Sequence, residues 1–292
     1  MSMNPRDGKP GRWPDFFVIG ASKAGTTSLD FYLGLHPEIH MARPKEPGFF
    51  ADVPPPVGRW SLGAEWYRGL FKDSKGLRGD CSTAYAMSPS IPGVARRVAS
   101  FAPEAKLVYL VRQPYERLQS HYLMDFRTGV FAGSFEEFAT TPSASFDASC
   151  YGRQFSEYLE FFPSERILVV ETAELEKNTP LTMARIFRHI GAAETFRSPL
   201  FRARLHVGSK ARFPNKTGRR ILETPVIEMA KSALPRGMFH HFRNLVLLPF
   251  EAPTPAIEIA PRVEERVRSI LRDEVALLRD LSGSALPSLE VA

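Results

Sequence analysis

Three stretches of this 292-residue chain hold side chains of the types and spacing needed to transfer an anionic group. In Gly20-Ala21-Ser22-Lys23-Ala24-Gly25-Thr26-Thr27-Ser28, small residues let backbone N–H groups close around a phosphate, while Lys23 and the hydroxyls add donors. A helix starting at the end of this loop turns the positive end of its dipole toward the anion. In the second stretch, Arg112 ends an apolar run, and an arginine there offers a bidentate fork to a phosphate. Pro114 is placed to start a helix, and Ser120 lies two turns along it, able to return toward the same anion. The third stretch, Met41 to Phe50, is broken by Pro44 and Pro47 and carries Lys45-Glu46 beside Phe49-Phe50. A Lys-Glu pair on such a loop reads as solvated surface, yet a carboxylate is also what takes the proton from an attacking hydroxyl.

Gly20 and Gly25 have Walker A spacing, but no lysine follows the second glycine directly; the only lysine is inside the loop. The runs Lys106–Val111 and Ile167–Val170 end in Arg112 and Glu171, so no aspartate stands where a magnesium nucleotide site needs one. The loop reads as a phosphate binder to which no metal is assigned.

These stretches need elements to position them. Phe16–Ile19, Lys106–Val111 and Arg166–Glu171 are short apolar runs of the buried-strand kind. Helical patterns are expected from the first loop to about Leu35, over 91–102, 135–140, 151–162 and 181–190, the last closed by Gly191. Such alternation predicts an α/β fold, a P-loop-like central parallel β-sheet flanked by helices on both faces, with ligands at the C-terminal strand ends. Residues 1–13 are expected as a flexible tail and 14–292 as one domain. Its last helix, about 257–281, is expected to pack through Val263, Val267, Ile270, Leu271, Leu277 and Leu278.

Composition narrows the partners. The 38 basic and 32 acidic residues leave a net charge of +6, too mild and too dispersed to favour nucleic acid over a small anion. Cys81 and Cys150 provide neither a disulfide framework nor metal spacing. No apolar stretch reaches the length of a membrane span and the first 15 residues lack an apolar signal core, so a cytoplasmic protein is expected.

Pro14 to Leu29 resembles the 5′-phosphosulfate loop of sulfotransferases that use 3′-phosphoadenosine 5′-phosphosulfate (PAPS), in the branch holding the heparan sulfate N- and 3-O-sulfotransferases and bacterial relatives. The resemblance implies that Lys23 meets the oxygen bridging phosphate and sulfate. It implies that Ala24, Gly25, Thr26, Thr27 and Ser28 hold or lie near the 5′-phosphate. Arg112-Gln113-Pro114-Tyr115-Glu116-Arg117-Leu118-Gln119-Ser120-His121-Tyr122 is similar to the family's 3′-phosphate motif at every anchor, which implies that Arg112 and Ser120 hold that phosphate. Glu46, in Glu-Pro-Gly-Phe-Phe, falls where the family carries its catalytic base, although many relatives have His where this chain has Gly48. Gly63 to Phe71 resembles a further segment of that branch, and Trp66 and Tyr67 read either as a sugar-stacking platform or as core. Asp80-Cys81-Ser82-Thr83-Ala84-Tyr85 resembles Glu-Lys-[Ser/Thr]-Pro-x-Tyr with Asp80 for Glu and Cys81 for Lys; Asp80 is a substrate-holding candidate or a structural cap. Tyr151 is implied to lie near the cofactor, and Ser209, Lys210 and Arg212 to close over the 3′-phosphate and adenine. The implied reaction moves a sulfuryl group from PAPS to a hydroxyl, or less readily an amine, of a carbohydrate or other small-molecule acceptor, and releases PAP with no metal. A P-loop nucleotide kinase and a non-catalytic PAP-binding protein remain the alternatives.

Overall fold

The apolar runs become strands because a sheet covered by helices asks for side chains that are apolar on both faces. In the computed structural model, which describes residues 13–71, 75–202, 213–222, 224–233, 242, 245–246, 248–252 and 254–291, Phe16, Phe17, Val18 and Ile19 have no solvent exposure at all. They belong to β1 (Phe16–Gly20), the middle strand of a sheet completed by β2 (Ile39–Met41), β3 (Leu77–Cys81), β4 (Lys106–Val111) and β5 (Ile167–Glu171). The order is β2-β3-β1-β4-β5, and every pairing is parallel. The edge strand β2 escapes a reading by apolar runs: it is three residues long, and its middle residue, His40, faces solvent.

The flanking helices are α1 (Thr26–Leu33), α2 (Gly63–Gly69), α3 (Val94–Phe101), α4 (Pro114–Thr128), α5 (Phe135–Thr140), α6 (Ala144–Asp147), α7 (Tyr151–Leu159), α8 (Thr172–Lys177) and α9 (Thr179–Ile190). Local chemistry sets several boundaries. Gln113 accepts from the Glu116 backbone N–H to cap α4, with Pro114 in its first turn, and Asn178 caps α9 through the Leu181 N–H. Helix α1 stops at Leu33, two residues short of the expected end, where Gly34 donates to the Asp30 carbonyl.

The C-terminal helix runs Pro261–Ser282 rather than 257–281, because Ala260 is extended and Pro261 fits the first helical turn. It packs against α7, where Gly152 permits the approach: an added Cβ would stand 2.6 Å from the Leu277 Cβ and 2.7 Å from the Glu274 carbonyl oxygen. The inward face is Val267, Leu271, Val275 and Leu278, one helical period apart. Ile270 and Leu277, expected inside, are offset from that stripe and remain exposed. Among the described residues, no helix is long and apolar enough to cross a membrane.

Candidate active site

Strand order brings the three stretches together. Strand β1 lies between β3 and β4, so its loop opens where the chain leaves the sheet on both sides. The Ala21 N–H donates to the Leu110 carbonyl at 2.6 Å, which binds the start of the loop to the end of β4, two residues before Arg112. On the other side, the Ser82 N–H donates to the Val18 carbonyl, just beyond β3.

The loop itself is a cradle. Lys23 has φ of 67° and Gly25, the N-cap of α1, has φ of 93°; both lie in the left-handed region, where a non-glycine residue such as Lys23 is uncommon. No side chain caps α1 and its first turn holds no acid; the Ser28 N–H turns back to the Gly25 carbonyl at 3.0 Å, so the N–H groups ahead of it are the candidates to meet an anion. Ala24 is buried, Gly25 is exposed, Thr26 is buried, and Thr27 and Ser28 are partly exposed. Two contacts hold the loop from outside. Thr172 Oγ1 bridges the Ala24 and Val111 carbonyls at 2.6 and 3.0 Å. Arg117, with no solvent exposure, donates from Nη1 to the Ser22 carbonyl at 3.3 Å.

Arg117 was an anchor of the sequence motif without a role, and its surroundings supply one. Its Nε donates to Ser149 Oγ at 2.6 Å, Nη2 to the Ser145 carbonyl and Nη1 to His121 Nδ1 at 3.0 Å. One buried guanidinium thus ties the loop to α4 and to the 145–149 segment. Burial, and then the Arg117 and Lys23 charges, push the His121 pKa down to about 2, so His121 is the neutral acceptor this cation needs.

Lys23 reaches along α4, with Nζ 3.6 Å from Met124 Sδ. Burial lowers its pKa, and the guanidiniums of Arg127, Arg117 and Arg112 push the same way against Asp125. Arg127, the strongest of these charges on Lys23, has a buried Nε without a hydrogen-bond partner among the described residues. No local signal marks it, since it stands 104 residues after Lys23 and meets it only through the fold. A lysine whose charge is disfavoured by its surroundings is one that an anion would relieve.

Arg112 follows β4 with its backbone held by Tyr151, whose hydroxyl donates to the Arg112 carbonyl at 2.7 Å. Tyr151 is fully buried, so it positions Arg112 rather than meeting a ligand through its own ring face. The Arg112 guanidinium rests on Glu116 at 2.9 Å, and both side chains are substantially exposed. Such a pair is worth about 0–1 kcal/mol, so a phosphate can replace Glu116 at little cost. Ser120, partly exposed, lies one helical turn beyond Glu116 and therefore on the same face of α4.

Glu46 arrives from the β3 side. Its backbone has φ of 56°, a second non-glycine residue in the left-handed region. Thr83 Oγ1 donates to Glu46 Oε2 at 3.0 Å and Lys45 Nζ to Oε1 at 2.7 Å, with the carboxylate still about half exposed. Burial opposes the Lys45 charge, but Cys81, Glu46 and Asp30 outweigh it and hold the Lys45 pKa above its ordinary value. Lys45 was visible as a neighbour of Glu46 in sequence, whereas Thr83 becomes a partner only through folding.

Gly48 cannot be the histidine found in many relatives. Its φ is 59°, and a Cβ would stand 2.2 Å from the Val57 carbonyl oxygen. Cys81 is buried, its Sγ 3.7 Å from the Thr26 carbonyl, and burial pushes its thiol pKa well above the ordinary value.

At two positions left open between substrate contact and a structural role, burial favours the structural one. Tyr67 is fully buried, stacks on Phe49 at 4.4 Å and donates to Asp80 at 2.5 Å, so it offers no face to a sugar. Asp80 is likewise fully buried, its oxygens taken by Tyr67, Ser82 and Tyr85, so it cannot hold a substrate from that position. Trp66 is partly buried against Phe49 and Tyr67 at the rim of this aromatic cluster. Ser209, Lys210 and Arg212 lie outside the described residues.

Comparison with known proteins points one way. The sulfotransferase domain family matches residues 13–217. Among curated proteins, the chain is similar to a bifunctional heparan sulfate N-deacetylase/N-sulfotransferase 1 of Caenorhabditis elegans, with 29% identity over 62% of this chain and 22% of that protein. It is also similar to the heparan sulfate glucosamine 3-O-sulfotransferase 6 of Mus musculus, with 27% identity over 62% of this chain and 53% of that one. The chain therefore spans between a fifth and about half of these relatives. Among solved structures, a sulfotransferase from Alicyclobacillus acidocaldarius shares the fold with TM-score 0.64 and 22% identity, covering 95% of this chain and 99% of that one.

Proposed function

Because the chain belongs to the sulfotransferase domain family, we propose that it transfers the sulfuryl group of PAPS to a hydroxyl, or less readily an amine, of a carbohydrate or other small-molecule acceptor. The observation that carries this reading is the joining of the β1 loop to the end of β4 through the Ala21–Leu110 hydrogen bond. The α1 N-terminus and Arg112 thereby stand at adjacent strand ends, which supports a nucleotide carrying both a 5′- and a 3′-phosphate.

PAPS supplies the sulfuryl group and departs as PAP. The residues present fit it: first-turn N–H groups and the Thr26 and Thr27 hydroxyls for the 5′-phosphate, Lys23 for the bridging oxygen, and Arg112 with Ser120 for the 3′-phosphate. Glu46 takes the acceptor proton. Thr83 and Lys45 fix its carboxylate, and Lys45 also brings a cation beside Cys81, where the resemblance leads one to expect a lysine. Catalysis is then positioning plus charge stabilisation.

Calorimetric titration with PAP, and with ATP in the presence and absence of Mg²⁺, tests the donor assignment. Metal-independent PAP binding is expected. Arg112→Ala should weaken it roughly 10- to 150-fold, the equivalent of losing charge-assisted hydrogen bonds worth about 1.5–3 kcal/mol. Mg²⁺-dependent ATP binding without PAP binding would overturn the reading in favour of a kinase.

A second expectation concerns pH. A bound anion stabilises the Lys23 ammonium, so binding raises a pKa that is lowered in the free protein and takes up a proton. PAP affinity should therefore be full below the free-state Lys23 pKa and decline as pH rises through it, short of the ordinary lysine range. In Lys23→Met that decline should vanish; an unchanged slope there would assign the titration to another group.

A further inference from the structure

The loop that carries Glu46 is held from below by a single buried carboxylate. Asp80 Oδ1 accepts from Ser82 Oγ at 2.7 Å, and Oδ2 accepts from Tyr85 Oη at 2.8 Å and Tyr67 Oη at 2.5 Å. Two of these hydroxyls then accept from the loop backbone: Ser82 Oγ from the Gly48 N–H at 3.0 Å, and Tyr85 Oη from the Phe50 N–H at 3.3 Å. We propose that Asp80 is a positioning residue for the base assigned above, orienting the Ser82 and Tyr85 hydroxyls so that they anchor the backbone just after Glu46. The inference rests on the assignment of Glu46 for its catalytic consequence, but the anchoring itself does not depend on it.

Polarity runs one way through this relay. Each hydroxyl has one proton, and an ionised carboxylate claims it, which leaves the oxygen lone pairs facing the two N–H groups. Neutralising Asp80 removes that direction, because a protonated acid or an amide must itself donate to one of its neighbours. Glu46 has reason to need an anchor: its own left-handed backbone is of a kind that persists only when the surroundings over-determine it.

The charge is maintained against its burial. Burial raises the Asp80 pKa to about 6, opposed by the hydrogen bonds from Ser82, Tyr67 and Tyr85, while the Glu46 carboxylate pushes it further up. Other titratable groups that feel its charge, Tyr67, Tyr85, Tyr158 and Cys81, are all pushed up and stay neutral near pH 7. A raised carboxylate pKa favours folding most below the ordinary value of 3.8, and that contribution is lost as pH rises through about 6. Anchoring has the opposite sign: it needs the anion and weakens as pH falls through about 6. A purely structural role would move stability and anchoring together; this relay moves them apart.

Hydrogen exchange of the whole protein, corrected for intrinsic rates and resolved over residues 46–51, tests the relay between pH 5 and 8. In the wild type, protection of the Gly48 and Phe50 amides should rise about tenfold across that range, while β4 stays protected throughout. Asp80→Asn should show low protection of both amides at every pH. Should Asp80→Asn not fold, Ser82→Ala should release Gly48 alone and Tyr85→Phe should release Phe50 alone. Unchanged protection in Ser82→Ala and Tyr85→Phe would overturn the proposal. In PAPS turnover, Asp80→Asn should lower kcat at least tenfold with KM for PAPS within twofold, and wild-type kcat in this variant would also overturn it. Failure of the wild type to bind PAP would remove the sulfotransferase reading while the exchange result still decides the relay.

Discussion

Replacing Glu46 with glutamine should cut turnover by about 10²- to 10⁴-fold, the range for loss of a positioned general base, while PAP binds as before. That is roughly 3–5 kcal/mol of transition-state stabilisation. The separation of effects follows from the contacts. Among the described residues, the Glu46 side chain hydrogen-bonds to Thr83 and Lys45 rather than to the β1 loop or Arg112, so its replacement removes no hydrogen bond from the donor site. Glutamine has nearly the same shape and leaves Thr83 Oγ1 an acceptor, but it cannot take a proton. Single-turnover rates with PAPS and an acceptor found by screening, set beside PAP calorimetry, check both halves. Full turnover in Glu46→Gln would remove Glu46 as the base, and lost PAP binding would make it part of the donor site instead.

Arg117→Ala should destabilise the protein by about 3–5 kcal/mol, the range for truncating a large buried side chain to alanine, with buried hydrogen-bond acceptors left unpaired besides. A guanidinium with no solvent exposure is satisfied at Ser22, His121, Ser145 and Ser149. Its removal leaves buried carbonyls without donors and opens a side-chain-sized cavity. Arg117→Lys restores the charge but not the planar fork, so it should recover only a small part of the loss. Denaturant unfolding midpoints of the three proteins give the ordering. PAP affinity should fall in Arg117→Ala even where it remains folded, because the Ser22 carbonyl is one of the points that hold the cradle. Wild-type stability in Arg117→Ala would show that water replaces the guanidinium at all four acceptors.

The relation between these two residues explains what was legible beforehand. Glu46 and Arg117 both stand in stretches that resemble known motifs, and motif position was enough to single out Glu46. It gave no role to Arg117, because burial of a cation is decided by segments 95 residues upstream and about 30 downstream. Tyr67 and Asp80 were left open by the sequence, between substrate contact and core or cap, and packing decided between them. Their residue types suit a sugar platform and a substrate ligand, but packing turned both inward, where they bond to each other.

By itself the amino-acid sequence determined the parallel α/β plan, the candidate phosphate loop and the Arg112 helix, because each is written in local apolar periodicity, glycine and proline positions and short spacings; the candidate base came from the resemblance of its loop to a known motif. Only the tertiary structure decided which groups act on one another: Arg127 on Lys23, Thr83 on Glu46, and Asp80 beneath the Glu46 loop. Those contacts depend on the strand order β2-β3-β1-β4-β5. That order is set by how the helices cover the sheet as a whole, so no local window of residues contains it.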